Sequence, residues 1–191
     1  MIKFSLVIFS FLFLFSSCKD ENYIPKPPTY LRLELPNHSY KSYTDDCPYE
    51  LSIPEIFNVK QVMQGQELTC HKDINLGPLN GTLHFTYIDM EEPLATYVNY
   101  VNDKIDEHKI KATAINDYKI ILPEHKVYCT FFALEGNVAS PFQFYMTDSV
   151  SKFASGVVYF NSSPNYDSLK PTLNYLKVDL DHFIEHFKWK N

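Results

Sequence analysis

Two histidines in the last tenth of the chain have the spacing of a zinc site. The run His182-Phe-Ile-Glu185-His186 fits H-x-x-E-H, in which histidines four residues apart on a helix bind the metal. A catalytic zinc also needs a third protein ligand and an open position, and in enzymes with this motif that ligand lies well downstream. Only five residues follow His186, and both histidines flank an apolar helical stripe. The sequence therefore favours histidines that cover the edge of a helix over histidines that bind a catalytic zinc.

Cys18 has the surroundings of a lipid-bearing cysteine. Lys3 precedes an apolar run over residues 4–15, and two serines lead directly into Cys18. That order is typical of a secretory signal, and the run is shorter than the roughly 20 residues of a membrane-spanning helix. Acyl chains on this thiol and on the amine freed by cleavage, palmitate among them, hold a protein on a membrane. We expect a signal peptide over 1–17, a lipidated cysteine and extended tether over 18–29, and one soluble domain over 30–191.

The other three cysteines are Cys47, Cys70 and Cys129. An odd number in an oxidising compartment predicts one disulfide and one buried thiol. Cys129 lies in an apolar run and is expected in the core as a small hydrophobic residue. Cys47 and Cys70 lie in polar, turn-rich segments, so we predict a possible disulfide between them.

No catalytic constellation emerges from the remaining residues. The serines lie outside any G-x-S-x-G motif, and five glycines form no phosphate-binding loop. Asp148-Ser149-Val150 and Asp167-Ser168-Leu169 fit a short Asp-Ser-apolar pattern used for envelope O-glycosylation in some gliding bacteria, but each also fits a helix cap, which is the preferred interpretation. We predict a protein that is not an enzyme and uses no metal or cofactor.

The composition argues against a nucleic-acid partner. The chain carries 17 basic and 23 acidic residues, for a net charge of −6, and Arg32 is its single arginine. Phosphate-binding surfaces depend on clustered arginine and lysine. Fifteen phenylalanines and 14 tyrosines can fill the core of one domain and still leave tyrosine for a contact surface.

The hydrophobic pattern predicts an α+β domain. Pro93 opens an internal helix, at about 93–108, with apolar residues on one face. Asp167 is a plausible N-cap for a long C-terminal helix, at about 168–189, with Pro171 in its first turn. The stripe of this second helix runs through Leu169, Leu173, Leu176, Leu180, Phe183 and Phe187. Strands are predicted at 31–35, 49–53, 82–88, 110–115, 118–122, 126–134, 141–147 and 156–161. A single domain with a largely antiparallel sheet packed against both helices follows.

A family resemblance is strongest in the run GNVASPFQFYMTDSVSKFASGVVYFNSSPNYDSLKPTLNYLKVDLDHFIEHFKW, residues 136–189. With YLRLELPNHSY (30–40), CPYELSIPE (47–55), GTLHFTYI (81–88) and HKIKATAI (108–115), it resembles the gliding-motility lipoprotein GldD family of the Bacteroidetes. The resemblance implies an envelope lipoprotein required for gliding and for the associated type IX secretion machinery. It brings no catalytic residue, and the residue it carries over is Cys18.

We expect this protein to act as a non-enzymatic assembly or stabilising factor for other motility lipoproteins, lipid-anchored in the cell envelope at the outer membrane. Lys19-Asp20-Glu21 fits a surface-export tract and equally fits a solvated tether, so the periplasmic and surface faces are both open. The alternative function is a lipoprotein that binds a ligand or glycan in an aromatic pocket.

A contact surface is expected on the sheet face or in the aromatic segment 141–160. Phe142, Phe144 and Met146 alternate there with Gln143 and Tyr145, so one side can enter the core while Tyr145 stays available to a partner. Internal packing of all these aromatics is the equal alternative.

Overall fold

The computed structural model describes residues 34–163 and 165–190. The signal peptide, Cys18 and the tether predicted from the sequence lie outside these residues. The described part contains ten strands and two helices, confirming the predicted α+β class. In chain order the elements are β1 (Tyr40–Thr44), β2 (Tyr49–Pro54), β3 (Asn58–Gln64), β4 (Glu67–Asn75), β5 (Gly81–Asp89), α1 (Leu94–Asp106), β6 (Ala112–Leu122), β7 (Val127–Gly136), β8 (Phe142–Thr147), β9 (Lys152–Phe160), α2 (Tyr166–Glu185) and β10 (Lys188–Trp189).

The strands form two antiparallel sheets. The large sheet has the order β3-β4-β5-β9-β8-β7-β6, and the small sheet has the order β1-β2-β10. Strand β9 is the middle of the large sheet, hydrogen-bonded along its length to β5 on one side and to β8 on the other. The two edge strands of the large sheet are β3 and β6.

Helix α2 builds the main core against both sheets. Its stripe buries Leu173, Leu176, Leu180 and Phe183, each at most 5% exposed. These side chains join one cluster with β2 of the small sheet and with the inward-facing aromatics of the large sheet. The recurrence at steps of three and four residues explains why this segment is helical, since it places every apolar side chain on one face.

The opposite face of the large sheet is covered by α1. Val101 and Ile105 of the helix pack on Phe153 of β9, forming a second and smaller cluster. Because successive strand residues point to opposite faces, β9 contributes Phe153 to this cluster and Ala154 to the main core. Among the described residues, neither helix is long and apolar enough to cross a membrane.

The ends of α2 differ from the sequence prediction. Asn165, rather than Asp167, is the N-cap, and its side chain accepts a hydrogen bond from the backbone N–H of Ser168. The helix begins at Tyr166, which puts Pro171 inside the helix rather than in its first turn. The C-terminal end at Glu185 comes before the predicted 189, because the chain turns there to pair Lys188 and Trp189 with β2.

The strands also depart from the prediction: β9, predicted at 156–161, begins four residues earlier, at Lys152. No strand is formed at 34–39, and the first begins at Tyr40. The β3–β4 hairpin was not predicted, because its polar sequence lacks an apolar alternation. The two short strands predicted at 110–115 and 118–122 are one continuous strand, β6.

Candidate functional site

Cys47 and Cys70 are brought together as a disulfide, with Cα atoms 5.5 Å apart. They join the loop after β1 to strand β4. Cys129 is a free thiol, 2% exposed in the main core, and burial raises its pKa well above the ordinary value of a thiol. A thiol in that setting stays protonated and unreactive. Cys18, the predicted lipidation site, lies outside the described residues.

A buried lysine sits beside the disulfide. Lys72 is 1% exposed, and its Nζ lies 2.7 Å from a carboxylate oxygen of Asp45 and 3.5 Å from the sulfur of Cys47. Asp45 also accepts the backbone N–H of Cys47 at 3.0 Å. Burial alone would raise the pKa of Asp45, but the hydrogen bond from Lys72 and the one from Cys47 hold it below its usual range. The ion pair therefore gives the buried Lys72 ammonium an opposite charge.

The H-x-x-E-H histidines pack along the edge of α2. The rings of His182 and His186 stack at 3.9 Å, and the other face of His182 stacks on Tyr40 at 3.4 Å. The Nε2 of His182 lies 2.8 Å from the hydroxyl of Ser52. Burial lowers the pKa of His182, and the neighbouring His186 lowers it further. Within residues 34–163 and 165–190 no three metal-ligating side chains gather, so this motif brings no third ligand with it.

A second histidine contact on α2 was not predicted from the sequence. Asp179 is completely buried, and one of its oxygens lies 2.7 Å from Nδ1 of His38. Tyr175 stacks on His38 at 4.2 Å and donates its hydroxyl to the carbonyl of Pro36. Burial raises the pKa of Asp179, although His38 opposes that shift. These contacts fix the segment before β1 to the C-terminal helix.

Tyr145, the predicted partner contact, is half-buried under α1. Its ring stacks on Phe153 at 5.7 Å, with Phe132 at 6.4 Å. The side chain therefore takes part in the second cluster. Its use by a partner stays a prediction.

The two Asp-Ser-apolar motifs lie in different local structures. The carboxylate of Asp148 accepts the backbone N–H groups of Val150, Ser151 and Lys152, so it closes the turn between β8 and β9. Val150 at the tip of that turn is 81% exposed. The second motif lies in the first turn of α2. Glycosylation at either position stays a prediction.

The strongest candidate site is an open groove of about 870 Å³ beside α1. We call it the α1 groove. Its floor is formed by β5, β8 and β9 beside the helix, and its wall is formed by α1. Val101 and Phe153 line the groove as well as the second cluster, so the two adjoin each other. The volume falls in the range of about 300–1,000 Å³ typical of small-molecule sites.

Three tyrosines line the α1 groove. Tyr97 and Tyr100 come from the helix, and Tyr159 comes from β9. Tyr100 is 64% exposed and Tyr159 is 41% exposed, so both rings are open to solvent. Tyr97 is held in place because its hydroxyl accepts the backbone N–H groups of Glu91 and Glu92 at 3.0 and 3.2 Å. Sequence reasoning missed this set, although Tyr100 lies off the apolar stripe of an amphipathic helix, where a core residue is not expected.

The polar lining of the α1 groove is almost uncharged. Thr86, Ser155 and Gln143 present hydroxyl and amide groups from the floor. The charged lining residues are Lys104 and Glu107, which pair with each other at 2.8 Å. Burial lowers the pKa of His108, another lining residue.

The chain belongs to the gliding motility lipoprotein GldD family, whose sequence profile matches residues 20–189. It is therefore a lipoprotein associated with gliding motility, and its family places it on a lipid anchor in the cell envelope. No curated protein gives a significant match. Among solved structures it is similar to the solution structure of cyanobacterial PsbP (CyanoP) from Synechocystis sp. PCC 6803, with 12% identity and a TM-score of 0.46 over 85% of this chain and 99% of that chain. A likeness at that level is too weak to support an argument.

Proposed function

We propose that this lipoprotein is a non-enzymatic assembly or stabilising factor for other lipoproteins of the gliding and type IX secretion machinery, held at the outer membrane by acyl chains on Cys18. The observation that carries the proposal is the family match over residues 20–189, which includes every helix and strand of the described domain. Cys18 has the sequence surroundings expected of a lipidation site. A protein of this kind needs an exposed surface for a protein partner.

The tip of the β3–β4 hairpin is our candidate for that surface. Strand β4 pairs with β5 only over Lys72–Asn75, so the outer part of the hairpin extends beyond the rest of the sheet. Met63 and Leu68 are opposite each other there, 56% and 64% exposed. β3 is an edge strand, which offers unpaired backbone groups as well as these apolar side chains. Exposed apolar side chains on an edge are typical of protein contacts.

A crosslinked pull-down from native envelopes tests the assembly role. The tagged full-length lipoprotein should enrich motility or secretion lipoproteins, and a Cys18→Ala variant should lose them because it is not anchored. The variant Met63→Gln/Leu68→Gln should reduce recovery several-fold, because it removes the apolar contact without touching the core. Ile121→Gln/Val178→Gln is the matched control, since both side chains are about as exposed but lie elsewhere. Recovery of no protein partner by the anchored wild type would refute the role.

The second candidate function is a lipoprotein that binds a ligand or glycan. The specific observation in its favour is the α1 groove, which combines an adequate volume with three tyrosines. This site is separate from the hairpin tip, so the two functions can be tested independently.

A further inference from the structure

We infer that the α1 groove binds a short, uncharged oligosaccharide. The inference deepens the second candidate function and does not depend on the assembly role. It rests on three properties of the groove: exposed tyrosine rings, neutral hydrogen-bonding side chains on the floor, and the pairing of its charged residues.

The tyrosines supply surfaces for the apolar faces of sugar rings. Tyr100 on the helix and Tyr159 on the sheet leave much of their area in solvent, at 64% and 41% exposure. Rings of this kind supply rigid contact area with little loss of side-chain entropy. Neither ring belongs to the main core or to the second cluster, so both are free of core packing and open to a ligand.

The floor of the groove supplies hydrogen bonds suited to hydroxyl groups. Thr86 and Ser155 can each donate and accept, and the amide of Gln143 offers both a carbonyl oxygen and an NH₂ group. Gln143 is 2% exposed, so it lies at the bottom of the floor, where its neighbours cover most of its surface. Sugar hydroxyls both donate and accept, which matches this mixed set.

The charge of the groove selects an uncharged ligand. Lys104 and Glu107 are the charged residues that line it, and they pair with each other at 2.8 Å, so together they give the groove no net charge to attract an acidic or basic ligand. An ionised ligand would lose hydration there without gaining a partner charge.

Two other ligand classes fit less well. An extended peptide would bring a row of backbone N–H and C=O groups, but β9 in the floor already uses its own in the ladders with β5 and β8. An acyl chain would cover Thr86, Ser155 and Gln143 without satisfying their polar atoms, which costs free energy. An oligosaccharide satisfies both the rings and the polar groups.

Saturation-transfer NMR and calorimetry on the detergent-solubilised full-length lipoprotein test the inference. The probes are the uncharged trisaccharides maltotriose, cellotriose and chitotriose, followed by an array of uncharged glycans. We expect at least one to bind, with affinity about tenfold weaker in Tyr100→Ala and in Tyr159→Ala, as is common for a central tyrosine contact. Tyr128→Ala is the matched control: this tyrosine is 37% exposed on β7 and does not line the groove.

Each outcome decides the matter. Binding weakened by both groove variants and unchanged in Tyr128→Ala supports the inference. Failure of every uncharged glycan to bind, or binding that ignores Tyr100 and Tyr159, overturns it. The pull-down described above, repeated with Tyr100→Ala/Tyr159→Ala, separates the two proposals. Recovery of motility partners by that variant leaves the assembly role standing when the glycan inference fails.

Discussion

Removing the link between Cys47 and Cys70 should destabilise the domain by a calculable amount. The two residues are 23 positions apart in sequence, and a loop of that size gives a stabilisation of about 3.4 kcal/mol in the chain-entropy relation. A domain of this length shifts its melting temperature by roughly 2–4 °C for each kcal/mol. The variant Cys47→Ala/Cys70→Ala should therefore melt about 10 °C below the wild type.

Trp189 provides the assay. It is the single tryptophan, and its ring packs edge-on against Phe187 at 4.5 Å, so its fluorescence should change when the domain unfolds. Urea titrations of oxidised wild type, reduced wild type and the double variant should place the last two together, at lower denaturant. Both should also unfold with a larger m-value, because an uncrosslinked unfolded chain exposes more surface.

A count of reactive thiols tests whether Cys47 and Cys70 are bonded in the native protein. Denatured, unreduced protein isolated from the envelope should show one reactive thiol, that of Cys129, and three after reduction. Three thiols before reduction would refute the pairing. Coincident urea transitions for the oxidised and double-variant proteins would refute the energetic reasoning instead.

Three further substitutions should give defined results in the same urea assay. Gly156→Ala should cost about 1–3 kcal/mol, because the added Cβ would fall against the ring of Phe144; a change below 0.5 kcal/mol would contradict that packing. Phe187→Ala should cost about 3–5 kcal/mol, since the side chain is completely buried between the helix end and the small sheet; a surface-like effect would show that the last strand is not docked. His182→Gln should flatten the loss of stability below pH 6.5, since the folded pKa of His182 is lowered and its stabilising contribution is present above that pH and lost on acidification; identical pH profiles for the two proteins would refute this.

The sequence predicts the elements whose apolar residues recur with one period. α1 and α2 were both found from their stripes, because each helix buries a single face against a sheet. The β3–β4 hairpin shows no such period for the opposite reason: its outer part lies beyond β5 and is largely exposed on both faces, so neither face requires apolar residues at alternate positions. The C-terminal end of α2 was overextended because Phe187 continues the stripe, although the chain has by then left the helix.

The candidate site could be predicted only in part. The cysteine pairing was suggested by local polarity alone, whereas the α1 groove depends on which half of a sheet face one helix covers. The hydrophobic period of a strand does not show which part of the sheet a helix covers. Tyr145 and Tyr159 lie on the same face of the large sheet, but only Tyr145 is under α1. The buried His38–Asp179 contact joins residues far apart in the sequence and carries no local signal.

The small sheet joins the first strands of the described domain to its last one. Its central strand, β2, is completed on one side by β1 and on the other by β10, whose Trp189 pairs with Tyr49. Pairing between the beginning and the end of a domain has a high entropy cost and forms slowly. The large sheet contains no strand from this C-terminal segment, so its hairpins can pair first and the small sheet closes afterwards, when β10 docks on β2. Docking of β10 therefore ties the C-terminal end of the described domain to its first hairpin and reports that the last step of folding is complete.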